Sequence, residues 1–349
     1  MPRCARCASS PSRLNVSASP MDRAVELAAL GPTHGPNPRV GCVIVAANGD
    51  VLAEGHHEGA GTPHAEAAAL AHAADAGVSV RDATAYVTLE PCNHTGRTGP
   101  CAVALAHAGI AKVVYAVADP NPTAAGGAAY LRGRGIEAEL QPHAGAAHLN
   151  RRWLVAMARQ RPYVIAKWAA TLDGRTAAAD GTSFWITGEA ARDHAHRVRA
   201  EVDAIIVGTG TVAIDDPELS ARPIDVIDAH QPLRIVLGER ETSGAKVWRD
   251  AKAERVASRD PSVGLAMAWE RECRVVLVEG GATVTSAFLR AGLVDEVHAY
   301  IAPAILGDGP AAVSDLGIGT MAGALRGKDV TVTRLGEDTL VTALLTKET

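Results

Sequence analysis

The sequence predicts two successive α/β domains, and three features carry that prediction. Short apolar runs of strand length alternate with stretches whose apolar residues recur at helical spacing, the pattern of sheets covered by helices. At 349 residues the chain exceeds what one hydrophobic core normally serves. The alternation also breaks at Arg161-Pro162, where a helix-like stretch gives way to a new strand. The expected boundaries are a disordered tail over 1–20, a first domain over 21–160 and a second over 161–349.

The tail, MPRCARCASSPSRLNVSASP, is basic and Ser/Pro-rich but lacks the apolar core of a secretory signal. Its Cys4 and Cys7 have no second pair within zinc-ribbon range, and Met21 is an alternative start. The net charge of −5, without a run of Lys or Arg, argues against nucleic-acid binding but leaves room for a small anionic substrate. No stretch supplies the ~18 uninterrupted apolar residues of a membrane span. The six cysteines form no dense disulfide framework, which fits a reducing cytoplasm.

In the first domain Asp22 is expected to cap a helix whose Ala24, Leu27 and Ala28 share one face and which Gly31 closes. In VGCVIVAANGDVLAEG two apolar runs meet at Asn48-Gly49, the chemistry of a tight hairpin. A helix from about His64, the strand AYVTLE, a helix after Cys101 and the strand KVVYAVAD follow. The order ββαβαβ describes a helix-covered sheet, and the helical stretch AGAAHLNRRWLVAMARQ then leads to the boundary.

The strand YVIAKWA opens the second series. It continues with a helix at GEAARDHAHRVRA and the strands DAIIVG, LRIVLG and RVVLVEGG. A helix follows with Val284, Ala287, Phe288 and Ala291 on its buried face, and DEVHAYIAP, DVTVTRLG and TLVTALLT read as late antiparallel strands. No internal repeat relates the halves. AIIVGTGTVAIDDP contains G-x-G-x-x-A after a strand, yet only a few residues separate its glycines from Asp215, Asp216 and Pro217, too few for a Rossmann unit. Gly280-Gly281 is either a tight turn or a cradle of bare backbone amides for a phosphate.

Chemistry concentrates in the first domain. His64 stands at a helix start, and Cys92 and Cys101 bracket a Gly/Pro-rich loop of eight residues. One imidazole and two thiolates suit zinc, and three protein ligands leave the fourth tetrahedral position to water. Glu66, two residues beyond His64, is expected to flank the metal and not to bind it. There a carboxylate can pass a proton from acidified water to a departing amine, as hydrolytic deamination of an amino-substituted nitrogen ring requires. A structural zinc, with Glu66 an ordinary helix residue, is the bland alternative. Cys42, in an apolar strand, reads as a small core residue.

H-A-E followed by P-C…C resembles the zinc-dependent cytidine and nucleobase deaminase superfamily, which has two residues between the cysteines where this chain has eight. That long loop, with NPRVGCVIV and VTLEPCNHTGRTGPC, is similar to the deaminase half of the bifunctional riboflavin-biosynthesis deaminase-reductases. AATLDGRTAAADGTSFWIT, VGTGTVAIDDPELSAR and VEGG resemble their reductase half, so the resemblance runs from about residue 21 to the C-terminus. It implies a cytidine deaminase-like α/β/α layered domain followed by a dihydrofolate reductase-like α/β domain. It also implies one zinc ion per deaminase domain, and NADPH for the reductase.

By resemblance His64, Cys92 and Cys101 hold the zinc and Glu66 is the proton shuttle. Asn37 holds the substrate ring, and Arg97 and His57 face the substrate phosphate; an Asn before Pro is also a turn former. In the second domain Ala169, Trp185, Thr211, Asp215 and the run Gly281, Ala282, Thr283, Val284, Thr285, Ser286 and Ala287 match cofactor-contacting positions. Ser183, Arg199, Leu219, Arg222 and Glu279 match substrate-contacting ones. Arg199 and Arg222 suit a phosphate clamp and Glu279 suits amino or hydroxyl groups, although Arg199 alone reads as a surface ion-pair former. Gly238-Glu239 stands where relatives have a small polar residue; an acid would repel a 2′-phosphate, so that contact is not carried over.

The activity implied is deamination of 2,5-diamino-6-(5-phosphoribosylamino)pyrimidin-4(3H)-one to 5-amino-6-(5-phosphoribosylamino)uracil, then NADPH-dependent reduction to 5-amino-6-(5-phosphoribitylamino)uracil. No acid or base for the reduction is visible in the sequence. The resemblance further implies a homo-oligomer formed through the reductase domain. A nucleic-acid or nucleoside deaminase is the rival, disfavoured by the acidic charge and the reductase-like half.

Overall fold

The computed structural model describes residues 19–94, 99–183, 185–250 and 252–345. The chain folds into two compact units, with Asn37–Ala158 in the first and Arg159 onward in the second.

In the first unit α1 (Pro20–Ala28) begins at Ser19. The Ser19 hydroxyl accepts from the Asp22 amide, and the Asp22 carboxylate accepts from the Ser19 amide in return. The cap is therefore Ser19, with Asp22 as its capping-box partner three residues on. β1 (Gly41–Val45) and β2 (Val51–His56) form the expected hairpin, with Gly49 in the left-handed region its turn requires. Next come α2 (Ala65–Asp75), β3 (Thr84–Val87), α3 (Cys101–His107) and β4 (Lys112–Tyr115).

Two elements the sequence pattern did not predict follow, α4 (Gly127–Arg132) and β5 (Glu137–Leu140). The last helical stretch is split into α5 (Ala144–Leu149) and α6 (Arg151–Arg159). Asn150 sits at the break, its carboxamide paired with both the amide and the carbonyl of Arg39.

The sheet order is β2-β1-β3-β4-β5, with β1 antiparallel to both neighbours and β3, β4 and β5 parallel. Every residue of β1 is buried because helices cover both faces. Cys42 and Ile44 share a core with Ala65 and Ala69 of α2, while Val43 and Val45 meet Met21, Ala24 and Leu27 of α1. The result is an α/β/α layered domain.

The second unit begins with β6 (Tyr163–Thr171), α7 (Glu189–Glu201), β7 (Ala204–Gly208), α8 (Thr209–Asp215), β8 (Leu233–Leu237), β9 (Ala253–Val256) and α9 (Pro261–Glu270). It ends with β10 (Val275–Val278), α10 (Ala282–Arg290), β11 (Glu296–Ala302), β12 (Gly327–Leu335) and β13 (Asp338–Leu345). The sheet order is β12-β13-β11-β6-β10-β7-β8-β9. Of the late strands, β12 and β13 are antiparallel as expected, but β11 also runs parallel to β6. The Rossmann-like glycines open the two-turn helix α8, too short to lead to a second strand, in keeping with the spacing.

One face of this sheet packs Ile206, Val276 and Val278 against Leu265 of α9 and Phe288 of α10. α10 is rotated from its expected face: it buries Thr285, Ser286, Phe288 and Leu289, while Ala291 is exposed. The two hydroxyls tolerate burial because Thr285 donates to the Gly280 carbonyl and Ser286 bonds to Ser314. On the opposite face α7 sets Ala191 against Tyr300 and Leu340.

Candidate active sites

His64 occupies the N-cap of α2 but makes no capping bond with its side chain, which leaves the imidazole free to face elsewhere. Its Nδ1 lies 3.5 Å from Cys92 Sγ and 3.3 Å from Cys101 Sγ. Cys101 is the first residue of α3, and its amide donates to Cys92 Sγ at 3.4 Å. The three donor atoms lie within 4.8 Å of one another, the one cluster among the described residues able to hold a metal ion. A nitrogen and two sulfurs, one sulfur already receiving a backbone amide, fit zinc with one coordination position left over. Hydrogen bonds from Cys101 and His64 pull the Cys92 thiol well below its ordinary pKa, and the side-chain hydrogen bond with Cys92, together with burial, pushes the Cys101 thiol up.

Glu66, in the first turn of α2, is 3% exposed, and burial pushes its carboxyl up to about 7. Its side chain meets the Cys101 thiol, so it lies beside the cluster. Asn37 and His57 are brought together, with Asn37 Nδ2 2.8 Å from His57 Nε2. The His57 ring stands edge-on to His64, centroids 5.4 Å apart. Arg97 lies outside the described residues.

In the second unit Thr211 and Asp215 lie in α8 directly after β7, and Glu279 and Gly281 directly after β10, at strand carboxyl ends, where parallel sheets bind ligands. The Gly281 amide donates to Thr211 Oγ1 at 3.1 Å, joining the start of α10 to α8. α10 has no side-chain cap, so its first amides remain available to an anion. Gly281 and Thr283 are exposed, whereas Thr285 and Ser286 are buried with their hydroxyls engaged inside the protein. Trp185 is exposed, with the Arg192 guanidinium over its ring. Ser183 is exposed, Ala169 packs beside Tyr300, and Asp215 ends α8 with its pKa raised by burial.

The Glu279 side chain is buried and receives Arg199 Nε at 2.6 Å and Nη2 at 2.8 Å. Arg199 gives its remaining Nη1 to the Ser220 carbonyl. Lys167 Nζ lies 3.5 Å from Glu279 and above the Tyr300 ring. Leu219 is buried in a left-handed conformation, and Arg222 is exposed, bonded to Glu218 and Ser220. Lys167 was not singled out from the sequence; a lysine inside the apolar strand YVIAKWA was the available signal.

Two family models match the chain. Residues 15–117 fit the cytidine and deoxycytidylate deaminase zinc-binding region, and residues 162–341 fit the RibD C-terminal domain. The riboflavin biosynthesis protein RibD of Mycobacterium tuberculosis is 44% identical over 317 residues, 89% of this chain and 91% of that one. The chain belongs to the RibD family.

RibD of Escherichia coli K12 is 38% identical over 91% of this chain and 96% of its own. The structure of Acinetobacter baumannii RibD superposes with a TM-score of 0.83 at 40% identity, covering 94% of this chain and 98% of that one. A diaminohydroxyphosphoribosylaminopyrimidine deaminase/5-amino-6-(5-phosphoribosylamino)uracil reductase from Thermotoga maritima gives 0.80 at 32% identity, covering 94% and 98%. As a RibD protein the chain is a bifunctional enzyme of riboflavin biosynthesis, with a zinc-binding deaminase domain and an NADPH-using reductase domain. No helix among its described residues is long and apolar enough to cross a membrane.

Proposed function

We propose that residues 21–160 deaminate 2,5-diamino-6-(5-phosphoribosylamino)pyrimidin-4(3H)-one and that residues 161–349 reduce the ribosyl group of the resulting 5-amino-6-(5-phosphoribosylamino)uracil. The observation that carries this reading is the His64, Cys92 and Cys101 cluster with a buried, proton-holding Glu66 beside it.

His64, Cys92 and Cys101 hold the metal. Zinc, when bound, supplies a nucleophilic water at neutral pH. Glu66 takes a proton from the attacking water and delivers it to the departing nitrogen. The C2–N bond breaks, oxygen takes its place and ammonia leaves. A carboxyl held near neutrality suits both halves of that transfer. Asn37 reads the ring edge and Arg97 meets the phosphate.

In the reductase the amides of Ala282 and Thr283, beside the Gly281–Thr211 bond, bind NADPH together with Asp215, Ala169 and Trp185, and NADPH supplies a hydride. The remainder of the expected run, Val284 to Ala287, shapes that helix start. Ser183, Leu219 and Arg222 contact the substrate. Arg199 acts through Glu279, which it holds ionised beside Lys167. Lys167 supplies the proton that balances hydride addition at C1′ and opening of the ribose ring. The enzyme works in the cytoplasm as a homo-oligomer formed through its reductase domains.

The direct test of the deaminase reading is Glu66→Gln. It is expected to retain zinc at full stoichiometry while ammonia release falls by about 10²–10⁴-fold. Undiminished deamination in that variant would overturn the assignment.

A further inference from the structure

We infer that His57 is a positioning residue that fixes the Asn37 carboxamide and makes no contact with the substrate phosphate. The inference rests on the deaminase reading above and deepens it. His57 is 4% exposed, and both ring nitrogens are engaged within the protein. Nδ1 lies 3.0 Å from the Pro63 carbonyl oxygen, which can only accept. The other neighbour of Nδ1 is Thr62 Oγ1 at 3.5 Å, whose own proton goes to the Gly59 carbonyl at 2.8 Å. Nδ1 therefore carries the ring proton. Nε2 faces Asn37 Nδ2 at 2.8 Å, an amide nitrogen that can only donate, so Nε2 is the acceptor of that bond.

The polarity propagates outward. Because the Asn37 Nδ2 N–H is spent on Nε2, Oδ1 is turned away from the imidazole. Asn37 thus offers substrate one remaining N–H and one carbonyl oxygen in a fixed order. The proposed substrate ring presents a carbonyl acceptor beside an N–H donor. The Pro63 carbonyl immediately precedes the metal ligand His64, so the same chain segment sets both the metal and the ring-reading amide. No N–H of His57 remains for an anion.

The test compares His57→Phe, His57→Gln, Asn37→Ala and the His57→Phe/Asn37→Ala double variant in the full-length, zinc-loaded enzyme. Ammonia release is measured from the phosphorylated diaminopyrimidine and from its 5′-dephosphorylated form. His57→Phe is expected to lower kcat/KM about tenfold or more with zinc content unchanged, as loss of an outer partner typically does. His57→Gln, which keeps an acceptor near Nε2, should recover part of that loss, and the double variant should be no worse than Asn37→Ala. The loss should be equal on both substrates. A loss that adds to that of Asn37→Ala, or disappears without the phosphate, would overturn the inference and leave the deaminase reading standing. Absence of deamination by the wild-type enzyme would sink the reading itself. If the variants do not fold, ¹⁵N imidazole spectra of the wild type decide: the neutral Nδ1–H form is expected at His57, and the Nε2–H form would overturn the proposal.

Discussion

Glu279 shows how one residue joins stability to the reductase site. Burial alone would raise its pKa, but Arg199 and Lys167 outweigh burial and hold the carboxyl down to about 2, against an ordinary value near 4.5. A carboxyl more acidic in the folded chain than in the unfolded one stabilises fully above the unfolded value, and that contribution is lost as pH falls toward the folded one. The difference corresponds to about 3 kcal/mol. Unfolding of the second unit followed between pH 5 and pH 2 should therefore show stability falling across that window. Glu279→Gln should flatten the fall and be less stable at neutral pH, where Arg199 and Lys167 lose their counter-charge. A Gln variant with the same acid profile would contradict this role. The acid itself was legible because it follows a buried strand and precedes two glycines. Its commitment to Arg199 was not, since α7 and β10 are brought together only by the sheet, and sequence spacing carries no such register.

Among the elements, α4 decides the placement of a metal ligand. A Cβ on Gly127, its first residue, would lie 1.7 Å from the Pro91 carbonyl oxygen, so only glycine permits this approach. Glu90 fastens the same contact by accepting from the Ala128 amide at 3.0 Å. Gly127→Ala must force α4 and the Pro91-Cys92 segment apart, which disturbs the seat of the Cys92 ligand. The expected result is a 10- to 100-fold loss of zinc affinity and of deamination, with reduction of the deaminated intermediate unchanged. Zinc titration with a chelator competitor measures it, and wild-type affinity would show that the segment yields without moving Cys92. α4 and β5 escaped the sequence pattern for physical reasons: α4 is six residues between two glycines, and β5 buries only Ala138. The metal cluster was legible because helix starts and strand ends, where its ligands sit, carry the strongest local signals. Asn37 and His57 could each be named from the sequence, yet their mutual hydrogen bond joins the end of β2 to the segment before β1 and has no local signature.

At the scale of the whole molecule, two α/β units each carry one step of a two-step conversion. Their order along the chain was legible from the motifs of each half, whereas the strand orders, with β1 beside β3 and β10 between β6 and β7, follow from tertiary pairing that periodicity does not encode. The zinc ligands and Glu66 belong to the first unit, and Lys167, Arg199 and Glu279 to the second. Removing zinc is therefore expected to abolish ammonia release and leave reduction of the deaminated intermediate intact. The most direct measurement of the two-step claim incubates the purified enzyme with the diaminopyrimidine, with and without NADPH, while ammonia and NADPH are followed together. Ammonia release without NADPH, and NADPH oxidation only after deamination has begun, is the predicted result; NADPH oxidation with no ammonia would contradict it.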